Sequence, residues 1–398
     1  MFSRRDFLKR STLIALAPTV PGFLAQTARA AKSERDSRIL VVVQLDGGND
    51  GINTVVPFAD EGYAKHRRVL RLPATQLIKV TDDVALHPAL IEAGKLLESG
   101  RFAMVPGVGY PNPSRSHFES MAVWHTTRFD AEDRNGLGWI GRALDGVAGL
   151  ARSGPDSLFI GSGLLPGALP GRRAVAASLA RPDDFVLPAG MQPKRTAAVP
   201  AQDLAAFVQR SALDAYATAD RMAEVARLED SGARYPATEL ASQLRLMARL
   251  IKADFGTRVY YARQGGYDTH GAQPAAHAAL LGEFAGAVRA FLDDLATGRL
   301  AERVTVLAFS EFGRTVKENA SAGTDHGTSG PVFLAGSPVQ AGLKGNMPGL
   351  LDLDPQIGEL RVVTDFRRVY ATVLENWLGL GAKPVLGAEF ESLPLFRT

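Results

Sequence analysis

Residues 39–45 read ILVVVQL, apolar at every position but one. A run of this kind has no polar face to offer to solvent. It predicts a central parallel strand covered on both sides. Short apolar runs recur at 101–106 (RFAMVP), 257–262 (TRVYYA), 304–309 (VTVLAF) and 331–335 (PVFLA). Between them the pattern changes to helical spacing. Helices are expected over 87–98, 116–126, 239–254, 275–295 and 367–378, with 239–254 strongly amphipathic. Strands that alternate with helices predict an α/β fold, a three-layer sandwich about a mostly parallel central sheet. Residues 150–235 break the alternation. They are rich in Ala, Gly, Pro and Arg, with a short helical stretch at 203–219, and are expected to form a helical or irregular insertion or cap on one domain spanning 32–398.

Composition narrows the chemistry. The chain has 398 residues, 46% of them hydrophobic, enough for a large core. It has no cysteine, which excludes disulfides, thiolate metal sites and a cysteine nucleophile. The first 31 residues stand apart. Ser3-Arg4-Arg5-Asp6-Phe7-Leu8-Lys9 is similar to the twin-arginine consensus, an apolar run follows, and Ala28-Arg29-Ala30 fits a cleavage site. The apolar run, about 15 residues and broken by prolines, is short for a membrane span. The expectation is export by the twin-arginine machinery to the periplasm or cell envelope, with membrane contact only through this segment. That segment carries five basic residues and one acidic residue, so of the formal net charge of +3 the remainder of the chain holds about −1. No basic stripe interleaved with aromatics is present, and nucleic acid is excluded as a partner.

Polar residues collect just past the C-terminal ends of the expected strands, the edge at which open parallel sheets build sites. Asp46 follows the first strand in LDGGNDG, where glycines let backbone approach closely. Asp268 and His270 stand in GGYDTHG, two apart and therefore on one side of an extended segment, able to reach one metal. Glu311 follows VTVLAFS, and Arg314 three residues on is placed to pair with it or to clamp a phosphate or sulfate. Asp325 and His326 lie in a loop of small residues before the last strand. Ser116 and Glu119 form an S-x-x-E capping box, and a serine at a helix start is also placed for nucleophilic attack. Ser114 is its rival, and the adjoining His117 is a base or a ligand. His66, His125 and His277 read as surface or packing histidines, and His87 as the start of a helix.

The motifs LDGGNDGINTVVP, SRSHFES, GGYDTHG, FSEFGRT and DHGTSGPVFLAG together resemble the DUF1501 family of exported bacterial proteins, across essentially the whole chain beyond the export segment. The resemblance implies a fold similar to the alkaline phosphatase superfamily, which includes sulfatases and cofactor-independent phosphoglycerate mutases. Such proteins hold two metals at the C-terminal edge of the sheet, beside a nucleophile at a helix start. On that basis Asp46 is the first-strand ligand, Ser116 the nucleophile, Asp268 and His270 the pair on one metal, Glu311 the strand-end carboxylate and His326 the last histidine. Two positions depart from the superfamily: Phe312 stands where a histidine often follows the strand-end acid, and Pro111 occupies the place of the sulfatase residue converted to formylglycine. The implied protein is an exported hydrolase of phosphate or sulfate esters, acting on an anionic small-molecule or polymer substrate with one or two divalent cations, Zn, Ca, Mg or Mn. The alternatives are a non-catalytic cell-envelope binding protein that keeps the fold, and a phosphomutase or transferase.

Overall fold

The computed structural model describes residues 38–148, 154–180, 225, 232–296 and 298–397. The expected export segment and the helical stretch at 203–219 lie outside the described residues.

The central strands form where the apolar runs place them. In chain order the principal elements are β1 (Ile39–Leu45), α1 (Ile91–Glu98), β2 (Phe102–Gly109), α2 (His117–Thr126), β3 (Ser157–Ile160), β4 (Ala176–Leu179) and α3 (Glu239–Lys252). Then follow β5 (Val259–Gln264), α4 (Gln273–Asp294), β6 (Val304–Phe309), β7 (Gly330–Ala335), β8 (Gly342–Leu343), β9 (Thr364–Asp365) and α5 (Phe366–Thr372). They make a nine-stranded sheet in the order β8-β2-β7-β6-β1-β5-β3-β4, with β9 also pairing β2. β1 is central and parallel to both neighbours, Val41 lying opposite Tyr260 of β5 and Val306 of β6.

All seven residues of β1 are buried, and alternate ones enter different cores. Val41, Val43 and Leu45 pack with Leu96 of α1, Leu244 of α3 and Phe284 of α4. Leu40 and Val42 pack on the other side with Trp124 of α2 and Tyr370 of α5. The expected three layers are therefore present, and burying each such side chain stabilises the fold by about 1.5–3 kcal/mol. α4 is long and apolar enough by composition to cross a bilayer, yet it packs Leu281, Phe284, Val288 and Phe291 into the first core.

Two features add to the sequence reading. Within 150–235, the described part does not form a separate unit: β3 and β4 extend the sheet beyond β5, in parallel. Short strands without long apolar runs left no period to detect. The strand after the His326 loop, β7, runs antiparallel to both β2 and β6. This reversal brings the segment between β6 and β7 back to the edge where β1, β5 and β6 end. Asp46, Asp268, Glu311 and His326 thus reach one edge although His326 precedes its strand.

Candidate metal centre

The chain after β1 turns at once, and the glycines are required for it. Gly47 has φ +117°, and a Cβ there would lie 2.5 Å from the backbone nitrogen of Asp268. Gly48 has φ +79°, and a Cβ there would lie 2.4 Å from the Phe312 ring. Both torsions suit only glycine. The β1 turn therefore meets the β5 loop backbone to backbone, and it meets the β6–β7 loop through the side chains of Phe312 and Arg314.

Arg314 fastens these three segments. It is 1% exposed. Its Nε donates to the Gly48 carbonyl at 2.7 Å, Nη1 to Thr324 O at 3.0 Å, and Nη2 to Tyr267 O at 2.8 Å and to Gly47 O. Nη2 also donates to Asp268 Oδ1 at 2.7 Å. The expectation that Arg314 pairs with Glu311 or clamps an anion is corrected: carbonyls and Asp268 consume its donors.

Asp268 is the hub. Its Oδ1 lies 3.0 Å from His270 Nε2 and 3.1 Å from His326 Nε2, and its Oδ2 lies 3.5 Å from His117 Nε2. Burial raises its pKa, but the Arg314 and His326 hydrogen bonds outweigh that and hold the carboxyl down at about 2. One ligand atom each from His117, Asp268 and His326 lie within 4.8 Å of one another, a spacing that could hold a metal ion. His270 Nε2 adjoins the same group, 3.0 Å from His326 Nε2.

The opposite nitrogen of every ring is occupied by an acceptor. His117 Nδ1 meets Glu311 Oε1 at 2.8 Å, His270 Nδ1 meets Asp325 Oδ1 at 3.0 Å, and His326 Nδ1 meets the Arg115 carbonyl at 2.8 Å. A carboxylate or carbonyl only accepts, so each Nδ1 carries the proton and each neutral ring presents a bare lone pair at Nε2. Three lone pairs then face a carboxylate, and His117 Nε2 is buried without a hydrogen-bond partner among the described residues. Positive charge has to sit among them, as imidazolium protons or as a cation. Imidazoles whose outer nitrogens are anchored to carboxylate or carbonyl are the usual arrangement of metal-ligating histidines. The donor set fits a borderline divalent cation.

The structure redistributes several expected roles. Glu311 is 1% exposed and grips His117 and the Gly47 N–H, the latter at 3.0 Å. It holds a prospective ligand. Its hydrogen bond is the main reason the His117 pKa is raised, against the opposing effect of burial. Asp325 likewise holds His270, and that bond lowers its own pKa. Asp46 is turned toward Gln44 and Arg263 and is not in the His117–Asp268–His326 grouping. Phe312 is a buried wall behind two imidazoles, its ring centroid 5.0 Å from His117 and 4.9 Å from His326.

α2 begins at His117, one residue past Ser116. The expected capping box does not form: Ser116 gives no side-chain cap, and Glu119 pairs with Arg134 at 2.7 Å. Ser116 Oγ makes no hydrogen bond among the described residues, whereas Ser114 Oγ accepts from the Ser116 N–H at 3.2 Å. Ser116 sits between Arg115, whose carbonyl holds His326, and His117. Sequence reasoning left His117 open between base and ligand; the signal that settles its neighbourhood, a glutamate 194 residues away, is not local.

A cleft of about 720 Å³ opens beside His117 and Asp268, with Asp46, Arg263, Met121 and Phe118 among its walls. A hollow of about 790 Å³ between α3 and α4 is slightly larger, but its lining holds no histidine and its Lys252 and Asp294 pair with each other. The histidines sequence reasoning set aside are structural. His125 and His277 are buried, hydrogen-bonded to Gln44 and Asn49, and His87 accepts from Ala89 N–H at the start of its helix.

No curated protein matches the chain. Among solved structures it is similar to the PsFucS1 sulfatase from Pseudoalteromonas sp. (12% identity, 83% of this chain and 68% of that chain, TM-score 0.35). It is similar also to the lipoteichoic acid synthase LtaP from Listeria monocytogenes (8% identity, 82% and 74%, TM-score 0.36). A third is Ps i-CgsB (12% identity, 89% and 73%, TM-score 0.35). The family model described as "Protein of unknown function (DUF1501)" matches residues 37–352, most of the chain, and the chain belongs to that family.

Proposed function

We propose that this protein is an exported, divalent-metal-dependent hydrolase of phosphate or sulfate esters with an alkaline phosphatase-like fold. The observation that carries the reading is the set of imidazoles whose outer nitrogens are tied to Glu311, Asp325 and the Arg115 carbonyl while their inner nitrogens converge on Asp268. His117, His270, His326 and Asp268 would hold the cation. The nitrogen-rich set favours zinc over calcium or magnesium, which prefer oxygen ligands. A bound cation supplies Lewis acidity that offsets the charge of an anionic ester. Ser116 is the nucleophile, since its hydroxyl makes no hydrogen bond among the described residues and it directly precedes His117, while the Ser114 oxygen is engaged. Arg314 and Glu311 fix the frame. The N-terminal motif supports export through the twin-arginine route to the periplasm or cell envelope.

The second reading is a binding protein that keeps the fold. The burial of Arg314 favours it, because the motif's own arginine is not available to an ester anion. Elemental mass spectrometry of protein purified without chelator tests the metal directly. The hydrolase reading expects about one equivalent in wild type and its loss in Asp268→Ala. Wild type that stays metal-free after incubation with zinc, manganese, magnesium or calcium would sink it.

A further inference from the structure

The cleft that reaches His117 and Asp268 is also lined by a cation and an anion that do not meet. Asp46 Oδ2 and Arg263 Nε stand 4.0 Å apart, beyond hydrogen-bond length. The Arg263 side chain makes no hydrogen bond among the described residues, and its Nε is buried without a partner there. Its guanidinium carbon lies 5.5 Å from the centre of the Phe159 ring, which supports it from one side. Asp46 is held from the other: its Oδ1 accepts from Gln44 Nε2 at 3.2 Å, and Gln44 Oε1 accepts from the Tyr261 hydroxyl at 2.5 Å. Both charged side chains still face open space, at 41% and 28% exposure. Arg134, the other arginine of the cleft, is engaged with Glu119 and the carbonyls of Arg128 and Phe129.

A site for a bare anion would not keep a carboxylate beside its one available cation. A structural ion pair would close to contact. An acceptor and a donor held apart suit a group that offers both in return, such as adjacent hydroxyls, one donating to the carboxylate and one accepting from the guanidinium. The same cleft is also lined by the apolar side chains of Met121, Ala122 and Phe118, the last 87% exposed. A sugar or cyclic polyol has this two-sided character, with hydroxyls on its edge and C–H groups on its face.

We propose that Asp46 and Arg263 bind adjacent hydroxyls of a sugar or cyclic polyol, and that the ester hydrolysed by this protein is carried on such a ring. The ester rests on the hydrolase reading above; the hydroxyl assignment rests on the pair alone.

The test is calorimetric binding to the full chain, with metal content measured on the same samples. The probes are hexose 6-sulfates and 6-phosphates, the matching 4-nitrophenyl esters, and unesterified methyl hexosides. At least one sugar ester should bind about tenfold or more tighter than its aryl counterpart. Asp46→Asn and Arg263→Met should each erase that margin while aryl-ester affinity, metal content and melting temperature hold. Sugar esters that bind no tighter than aryl esters overturn the proposal, as does a margin that survives both substitutions. Metal lost from Asp46→Asn also overturns it, by making Asp46 a ligand. Wild type without metal, but with methyl hexosides bound through the pair, retires the hydrolase and leaves the hydroxyl assignment standing.

Discussion

At the scale of single residues, the centre depends on groups that hold ligands as much as on ligands. Glu311 is the clearest instance. Its Oε1 accepts from both His117 Nδ1 and the Gly47 N–H, so one buried carboxylate fixes a ring and the turn after β1. Glu311→Gln keeps the shape and removes the charge. Removing an outer partner of a ligating histidine commonly weakens metal binding 10–100-fold. The expected result is about a tenfold or greater loss of zinc affinity in competition with a chelator, at unchanged stoichiometry. Affinity equal to wild type would remove Glu311 from the centre's support. The prediction separates holder from ligand, since Asp268→Ala should lose the stoichiometry itself.

At the scale of elements, three strand ends and a returning loop have to stay in register, and Arg314 performs that task. Its side chain joins the carbonyls of Gly47, Gly48, Tyr267 and Thr324 to Asp268. Arg314→Met would strand those acceptors and leave Asp268 without its buried cation. Each buried carbonyl left without its donor costs about 1–3 kcal/mol, while the half-exposed Asp268 adds little, and urea unfolding should show a loss of about 3 kcal/mol or more. A change under about 1 kcal/mol, the range of an exposed ion pair, would mean Arg314 is not the fastener. The elements themselves were legible where sequence period determined them. β1 and β6 fall on their apolar runs with the bounds expected, because burial on both faces leaves no polar position to blur an end. The site edge was legible for the same reason, as carboxylates follow those strands. The partners were not. Whether Glu311 and Asp325 ligate or hold, and whether Arg314 faces a substrate or four carbonyls, depends on contacts between residues as far as 267 positions apart. β3 and β4 carry four residues each, too few to set a period against their surroundings.

At the scale of the whole molecule, buried histidines on both sides of the sheet make stability depend on pH. Burial lowers the pKa of His125 to about 3 and those of His87 and His277 to about 4, against an ordinary value of 6.5. His125, on α2, meets Gln44 and Tyr261, while His277, on α4, meets Asn49 and stacks edge-on with His87. Because the folded pKa values are depressed, the unfolded chain binds more protons between about pH 6.5 and pH 4. Stability from these groups is therefore complete above the unfolded pKa, falls as the pH drops below it, and stops falling once the folded pKa is passed. For His125 alone the loss at pH 5 amounts to about 2 kcal/mol; His87 and His277, being in contact, titrate as a pair and add to it. Urea unfolding at pH 7, 6 and 5 should show the midpoint falling at each step. Chelator should be present throughout, so that proton competition for a metal at His117, His270 and His326 does not enter. His125→Gln, which keeps a polar side chain beside Gln44 but cannot take up the proton, should reduce the slope between pH 7 and 5. A midpoint that is flat across this range would show that the three rings gain no proton penalty on folding, and that their burial is relieved by water or by motion in solution.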